Sequence, residues 1–361
     1  GNIDNDEFLE IVVGGYSGST SSNPIYAINY DGSEVDGFPY IVGEKIKAGV
    51  AIADMNDNGI GDIVFGTDGE EINVLLDDLT IAPNFPVNLD DFHEGSGSRQ
   101  VQSEPAVYDT GSEKVILAGS KDNNFYAINF SDGSLRFMIP TDDDIFTSPS
   151  FDLNGNIYFG SDDGFVYAVD INGNMLDGYP FEIGSSIVGS IVFSDLNGDG
   201  EENMVIGTDL GKIYAYNHNF ELLDYFPINY QYQISSSPQI IDYDQDGDFE
   251  ITAGTSGDFI MIDIKYQESS EIDLYWSLFK GGLLRSGYYY NSESSDGCDI
   301  LGDVNCDLII DIIDIIIIVN MIMDGLDGFS VSELWAANIN NDTIIDILDI
   351  LIVVNIVLDN N

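Results

Sequence analysis

Residues 236–255 read SSPQIIDYDQDGDFEITAGT. This stretch is typical of a short apolar strand, an acidic turn and a second apolar strand that ends in Gly-Thr. The same frame recurs at residues 50–67 (VAIADMNDNGIGDIVFGT) and 192–208 (VFSDLNGDGEENMVIGT), and its second half recurs at residues 2–14 (NIDNDEFLEIVVG). A unit that repeats in this way predicts a fold assembled from copies of one supersecondary element.

A glycine closes each repeat. The closing glycines lie roughly 40 to 53 residues apart, which is the period of a four-stranded propeller blade: Gly14, Gly66, Gly119, Gly160, Gly207 and Gly254. Four repeats then carry a strand that contains Tyr-Ala, and an aromatic-Pro pair such as Phe38-Pro39 follows in four. The sequence therefore predicts an all-β propeller of about six four-stranded blades over residues 1–290.

The composition is strongly acidic. There are 64 Asp and Glu residues against 10 Lys and Arg residues, which gives a formal net charge of −54. This charge excludes a nonspecific nucleic-acid binder and disfavours attachment to anionic lipid. Carboxylates at such a density need bound cations or screening by salt. Because Asp outnumbers Glu and lies mainly in turns, we expect calcium, with a halophilic surface as the alternative.

Four acidic turns carry the oxygen side chains that calcium prefers. Alternate Asp or Asn side chains of a tight turn converge, and an oxygen side chain at the start of the next strand completes the set. The predicted sets are Asn2, Asp4, Asp6 and Glu10; Asp54, Asn56, Asn58 and Asp62; Asp195, Asn197, Asp199 and Asn203; and Asp242, Asp244, Asp246 and Glu250. The turns at residues 109–112 and 152–156 depart from this pattern, so no metal is expected there. The competing interpretation is that Asp and Asn serve only the turn geometry.

Residues 1–290 resemble the FG-GAP/VCBS and quinoprotein-like types of extracellular β-propeller. The resemblance rests on the acidic turns, on the Tyr-Ala strands and on residues 276–288 (WSLFKGGLLRSGY), which look like the closing segment of such propellers. The first repeat begins at its acidic turn, so its opening strand is missing from the start of the chain. We expect residues 276–290 to supply that strand. The alternative is a neighbouring molecule that adds it by β-augmentation.

The last part of the chain contains two calcium-loop motifs. Polar residues 291–298 predict a linker, followed by a second domain over residues 299–361. Each twelve-residue loop places oxygen side chains at positions 1, 3, 5, 9 and 12 and a backbone carbonyl at position 7. The predicted ligands are Asp303, Asn305, Asp307, Ile309, Asp311 and Asp314, and then Asn338, Asn340, Asp342, Ile344, Asp346 and Asp349. Leu308 and Thr343 replace the usual glycine of such loops.

A helix is expected after each loop, at residues 312–323 and 347–358. The duplicated loop-helix pattern resembles a type I dockerin, a small α-helical calcium-dependent docking module. Both helices are apolar on nearly every side and too short to span a bilayer, so a face of each needs a cover. The resemblance implies a hydrophobic partner interface at Ile312, Ile313, Ile347 and Leu348. Packing on the chain's own propeller is the alternative.

The chain contains two cysteines, Cys298 and Cys306. An even pair in a loop-rich stretch of an apparently extracellular protein predicts a disulfide. No nucleophile elbow, P-loop or zinc-spaced cluster is visible, and the two histidines, His93 and His218, lie in polar turns. These observations predict a protein that is not an enzyme.

The sequence thus predicts a secreted or cell-surface structural protein that does not insert into membranes. We expect two calcium ions in the dockerin-like domain and up to four in the propeller turns. The tail is expected to dock on a neighbouring subunit or a partner, which would build a homo-oligomer or a surface filament. A carbohydrate-binding or cohesin-binding adhesion module is the second hypothesis, and a polysaccharide-degrading propeller enzyme is the third.

Overall fold

The computed structural model describes residues 1–4, 6, 8–16, 23–92, 98, 100–199, 201–241, 243, 249–264, 276–281, 286–290, 301–302, 304, 310, 312–324, 336–339, 345 and 347–359. The chain forms two compact units. The larger contains Gly1–Tyr108 and Glu113–Tyr289, and the smaller contains Asp109–Ser112 and Tyr290–Asn361. The predicted linker at residues 291–298 lies outside the described residues.

Within the described residues, the strands form six sheets, and five of these contain only consecutive strands of the chain. The first sheet contains β1–β3 (Ile11–Gly14, Pro24–Ile28, Tyr40–Ile41), and the second contains β4–β7 (Ala51–Ala53, Asp62–Gly66, Glu71–Leu75, Val87–Asn88). The third contains β8–β11 (Ala106–Asp109, Lys114–Gly119, Asn124–Asn129, Leu135–Pro140), and the fourth contains β12–β15 (Ser150–Phe151, Ile157–Gly160, Phe165–Val169, Phe181–Glu182). The fifth contains β16–β19 (Val192–Ser194, Asn203–Gly207, Lys212–Tyr216, Ile228–Asn229), and the sixth contains β20–β22 (Gln239–Ile241, Phe249–Gly254, Phe259–Ile264). A 3-10 helix at Leu89–Asp91 follows β7, and β23 (Tyr288–Tyr290) lies beside β8 in the third sheet.

The closing glycines end β1, β5, β9, β13, β17 and β21, where the chain leading into the next sheet packs closely. A Cβ on Gly160 would lie 2.5 Å from Cγ2 of Ile187. The same contact recurs between Gly14 and Ile46, Gly66 and Val101, Gly119 and Ile145, and Gly207 and Ile234. The repeat therefore needs glycine because a β-branched side chain from the next repeat occupies the place of its side chain.

Hydrophobic clusters lie between successive sheets. Alternate residues of each central strand bury one set of side chains, for example Ile25 and Ala27 in the first sheet and Ile251 and Ala253 in the sixth. The other face of the first sheet is exposed at Ile11, Val13, Tyr26 and Ile41. The sixth sheet is likewise exposed at Phe259 and Met261. The two terminal sheets thus each present apolar side chains to solvent.

Residues 276–281 and 286–289, here called the central segment, bind the first strands of four sheets. The carbonyl oxygens of this segment accept hydrogen bonds of 2.7–3.0 Å: Trp276 from Phe193, Ser277 from Ile240, Ser286 from Ile52 and Gly287 from Val107. First strands that converge on one segment have the radial arrangement of propeller blades. The strand order and these hydrogen bonds therefore describe a β-propeller.

The expectation that residues 276–290 complete the first sheet is wrong. In the described part of the chain that sheet contains β1–β3, and β23 pairs with β8 instead. The physical reason is burial: Trp276 packs edge-on against Phe151 with ring centroids 4.7 Å apart, and Tyr289 stacks on the same ring at 4.5 Å. These contacts bury Trp276 among the first strands, which favours this position of the segment.

Lys280 is the buried cation of the central segment. Its side chain is 5% exposed, and Nζ donates a hydrogen bond to the carbonyl oxygen of Val50. Burial lowers the pKa of Lys280 to about 8, against the opposing attraction of Glu104. Glu104 in turn accepts a hydrogen bond of 2.6 Å from Oγ of Ser148. Lys280 therefore links the central segment to the residues that lead into the second, third and fourth sheets.

The smaller unit contains α1 (Ile312–Asp324) and α2 (Ile347–Asp359), each one residue longer at its end than expected from the sequence. Ile318, Met321 and Val353 are buried in one cluster with Val304 and Ala336. In the described part of the chain, no helix combines the length and apolar character needed to cross a membrane.

Candidate cation sites in the acidic turns

The four acidic turns share one hydrogen bond. The residue that begins the second strand turns its side chain back and accepts from a backbone N–H seven residues earlier. The pairs are Glu10 with Ile3 (2.8 Å), Asp62 with Met55 (2.9 Å), Asn203 with Leu196 (2.7 Å) and Glu250 with Tyr243 (2.6 Å). All four side chains are buried. Each turn thus holds one polar side chain out of water.

The first turn brings three carboxylates together. One carboxylate oxygen from each of Asp4, Asp6 and Glu10 lies within 4.8 Å of the others. Glu10 is 3% exposed, and its Oε1 is buried without a hydrogen-bond partner. Burial raises the pKa of Glu10, and Asp4 and Asp6 add to the effect. A hard cation such as Ca²⁺ would supply the missing partner for Oε1, so these three residues fit the predicted ion.

Asn2 has a different part in that turn. Its Oδ1 accepts from the N–H of Asp4 at 3.2 Å, and its Nδ2 donates to the carbonyl oxygen of Asp6 at 2.8 Å. Both polar atoms therefore shape the loop, as Asn commonly does in turns. The carboxylates of Asp4, Asp6 and Glu10 remain the stronger candidate ligands.

The second turn includes a carboxylate that the sequence analysis missed. Asp77, in the turn after β6, accepts from Nδ2 of Asn56 at 3.3 Å and of Asn58 at 2.9 Å. Its N–H donates to Asp62 at 2.8 Å. Burial, with the negative charges of Asp77 and Asp54, raises the pKa of Asp62 to about 6. Asp54, Asp62 and Asp77 therefore concentrate negative charge at this turn, where a cation would offset it.

The third of the predicted sets fits an ion poorly. Oδ1 of Asn203 accepts from Leu196, which leaves Nδ2 as the buried atom without a partner. An amide NH2 group is a donor and cannot coordinate a cation. Asp195 accepts from the N–H groups of Gly198 and Asp199 at 2.7 and 3.2 Å, while Asn197 donates to Asp199 at 2.8 Å. These bonds match the interpretation in which Asp and Asn form the turn itself.

Several predicted residues lie outside the described residues: Asp242, Asp244, Asp246, Asp303, Asn305, Asp307, Ile309, Asp311, Asn340, Asp342, Ile344, Asp346, His93 and both members of the predicted disulfide, Cys298 and Cys306. Of the tail ligands, Asp314 and Asp349 are fully buried near the start of α1 and α2. The carboxylate of Asp314 accepts from the N–H of Val304 at 2.7 Å. Ile347 and Leu348 are exposed, and the side chains of Ile312 and Ile313 are not among those described.

Comparison with known proteins does not assign the chain to a family. No family model matches the chain, and no curated protein matches it. Two solved structures of BBS1N in complex with ARL6DN, soaked with mercury and with lead, are similar to it at 13% identity. Each similarity extends over 73% of this chain. It covers 79% of the chain in the mercury-soaked structure, with a TM-score of 0.49, and 80% of the chain in the lead-soaked structure, with a TM-score of 0.47. At these values, the fold described here rests on strand order and hydrogen bonds.

Proposed function

We propose that the protein is a non-enzymatic, calcium-binding structural protein of the cell exterior that assembles with further copies of itself. In this proposal, residues 1–290 form an FG-GAP/VCBS-like propeller of about six blades. Residues 299–361 form a dockerin-like domain with two calcium ions, and further ions lie in the acidic turns. The docking surface is the exposed apolar face of the helix pair.

The observation that carries this proposal is the exposure of the two helices. Large apolar side chains of α1 and α2 are each more than half exposed: Ile316, Met323, Ile347, Leu348 and Leu351. Isolated apolar residues are common on protein surfaces, but clustered ones mark interaction sites. An apolar face on a small helix pair is suited to a partner with an apolar surface of its own.

The larger unit offers such a surface. The first sheet exposes Ile11, Val13, Tyr26 and Ile41, and Val13 lies directly opposite Tyr26 in the β1–β2 pairing. Among the described strands, β1 pairs with β2 alone, so its other edge is also open to a strand. A second copy of the chain therefore brings a matching apolar face to the helix pair.

Bound calcium would allow copies of this strongly acidic chain to assemble. A net charge of −54 causes copies of the chain to repel one another. Cations bound at the acidic turns and the tail loops reduce that repulsion and hold the loops in place. We therefore expect assembly to require calcium as well as the apolar face.

The test is the oligomeric state of the full chain in calcium and after chelation with EGTA, measured by analytical ultracentrifugation and electron microscopy. We expect large assemblies or filaments in calcium that dissociate in EGTA. Leu348→Glu should abolish assembly because it places a charge in the apolar face. Leu210→Glu, at an exposed residue in the turn between β17 and β18, is the matched control and should assemble normally. A monomer under both conditions, or equal loss in both variants, contradicts the proposal.

A further inference from the structure

A cavity of about 250 Å³ lies between the fourth and fifth sheets, beside the turns at residues 152–156 and 195–203. Its walls are unusually aromatic, with five rings: Tyr158, Tyr179, Phe193, Tyr216 and Phe220. The volume lies below the range of about 300–1,000 Å³ that is typical of pockets for drug-sized ligands. The cavity therefore suits a small chemical group.

The rings meet at steep angles. Tyr158 contacts Tyr179 with centroids 5.6 Å apart at 80° and Phe193 with centroids 4.8 Å apart at 63°. Tyr179 contacts Phe220 in the same way, at 5.2 Å and 67°. Each of these pairs has the edge-to-face geometry that aromatic rings prefer. The five rings form the aromatic lining of the cavity, here called the aromatic box.

The charge of the cavity is negative. Asp152, Asp177, Glu201 and Glu202 line it, and none of its described lining residues is Lys or Arg. Asp152 is 7% exposed. Nε2 of His218 lies 2.8 Å from Nδ2 of Asn219. The lining thus contains several carboxylates without a Lys or Arg side chain to balance them.

Glu202 connects this lining to the turn at residues 152–156. Its carboxylate accepts hydrogen bonds of 3.0 and 3.2 Å from the N–H of Leu153. A positively charged ligand would be attracted to this carboxylate.

We propose that this cavity binds an alkylated ammonium group, such as the trimethylammonium group of choline or of a trimethylated lysine. Aromatic faces attract quaternary ammonium ions, and the attraction grows when both partners lose water. A calcium ion needs six to eight oxygen ligands, which aromatic walls do not provide. A neutral sugar could stack on the rings, but it would gain nothing from the carboxylates.

The neighbouring groove, between the fifth and sixth sheets, shows that this lining is not a general property of the fold. It is larger, at about 440 Å³, and its apolar lining is mainly aliphatic, including Leu196, Leu222, Leu223, Ile262 and Ile264. The two grooves occupy equivalent places beside consecutive acidic turns. The described space between the fifth and sixth sheets therefore lacks the predominantly aromatic lining found between the fourth and fifth.

The experiment is calorimetric titration of the full chain, at physiological salt, with choline and with its neutral isostere 3,3-dimethyl-1-butanol. We expect saturable one-to-one binding of choline and at least tenfold weaker binding of the isostere. Equal binding of the two compounds, or no binding of choline, overturns the proposal. A trimethyllysine peptide and phosphocholine form two further arms, and preferential binding of either one supports the proposal and identifies the source of the group.

Variants distinguish binding of choline in the cavity from nonspecific attraction to an acidic protein. Glu202→Gln and Tyr179→Leu should each weaken choline binding at least tenfold, whereas Tyr179→Phe should retain it because the ring remains. Glu182→Gln removes an exposed carboxylate outside the cavity and should leave binding unchanged. If Glu182→Gln weakens binding as much as Glu202→Gln does, the attraction is nonspecific and the proposal fails. Circular dichroism confirms that each variant is folded.

Discussion

Replacing Trp276 by alanine is expected to lower the free energy of unfolding by about 3–5 kcal/mol, the range for deleting a large buried aromatic side chain. Trp276 is 8% exposed and packs on Phe151 and Tyr289, at the point where its own carbonyl binds the first strand of the fifth sheet. The substitution leaves a cavity among the first strands of several sheets. Urea unfolding of the full chain measures the change.

Tyr225→Ala is the control for this prediction. Tyr225 is an aromatic residue of similar size in the same unit, but it is 80% exposed. We expect its replacement to change the free energy of unfolding by less than about 0.5 kcal/mol, as is usual at exposed positions. If Trp276→Ala were equally mild, the central segment would not hold the sheets together.

Gly160→Ala should destabilise the protein by about 1–3 kcal/mol, the range for overpacking a close-packed interior. Gly160 ends β13, and a Cβ there would lie 2.5 Å from Ile187 Cγ2 and 2.7 Å from Ile187 Cβ. A Cβ atom cannot approach another carbon so closely, so the chain before β16 would have to move. Urea unfolding measures the loss.

A double-mutant cycle tests the stated cause. Gly160→Ala combined with Ile187→Ala should be less destabilising than the sum of the single variants, because the smaller side chain relieves much of the clash. Gly254→Ala is the matched control, since the nearest atom to its Cβ would be Oγ of Ser236 at 3.2 Å. Strict additivity in the cycle would show that close packing is not the reason for this glycine.

Local patterns in the sequence predicted much of the fold. The acidic turn between two apolar strands and the closing glycine gave the repeated sheets, because both depend on residues close together in the chain. The helices at Ile312–Asp324 and Ile347–Asp359 follow from apolar runs of helical length. Carboxylates spaced two residues apart, as Asp4 and Asp6 are, likewise converge through local turn geometry.

Features that depend on distant residues could not be predicted in this way. The contact between Trp276 and Phe151 joins the central segment to the fourth sheet, and no periodicity relates the two positions. Asp77 reaches the second acidic turn from the turn after β6. The aromatic box takes its rings from both the fourth and the fifth sheets, so no single stretch of sequence indicates it.

We propose that bound calcium stabilises the acidic turns. The thermal unfolding midpoint at low ionic strength tests this proposal, measured in EGTA and in saturating calcium for the wild type, Glu10→Gln and the exposed control Glu34→Gln. A ligand at one hundred times its Kd stabilises the native state by about 2.7 kcal/mol. We predict that calcium raises the midpoint by several degrees in the wild type and in Glu34→Gln, and by less in Glu10→Gln. An unchanged midpoint in the wild type would contradict the account.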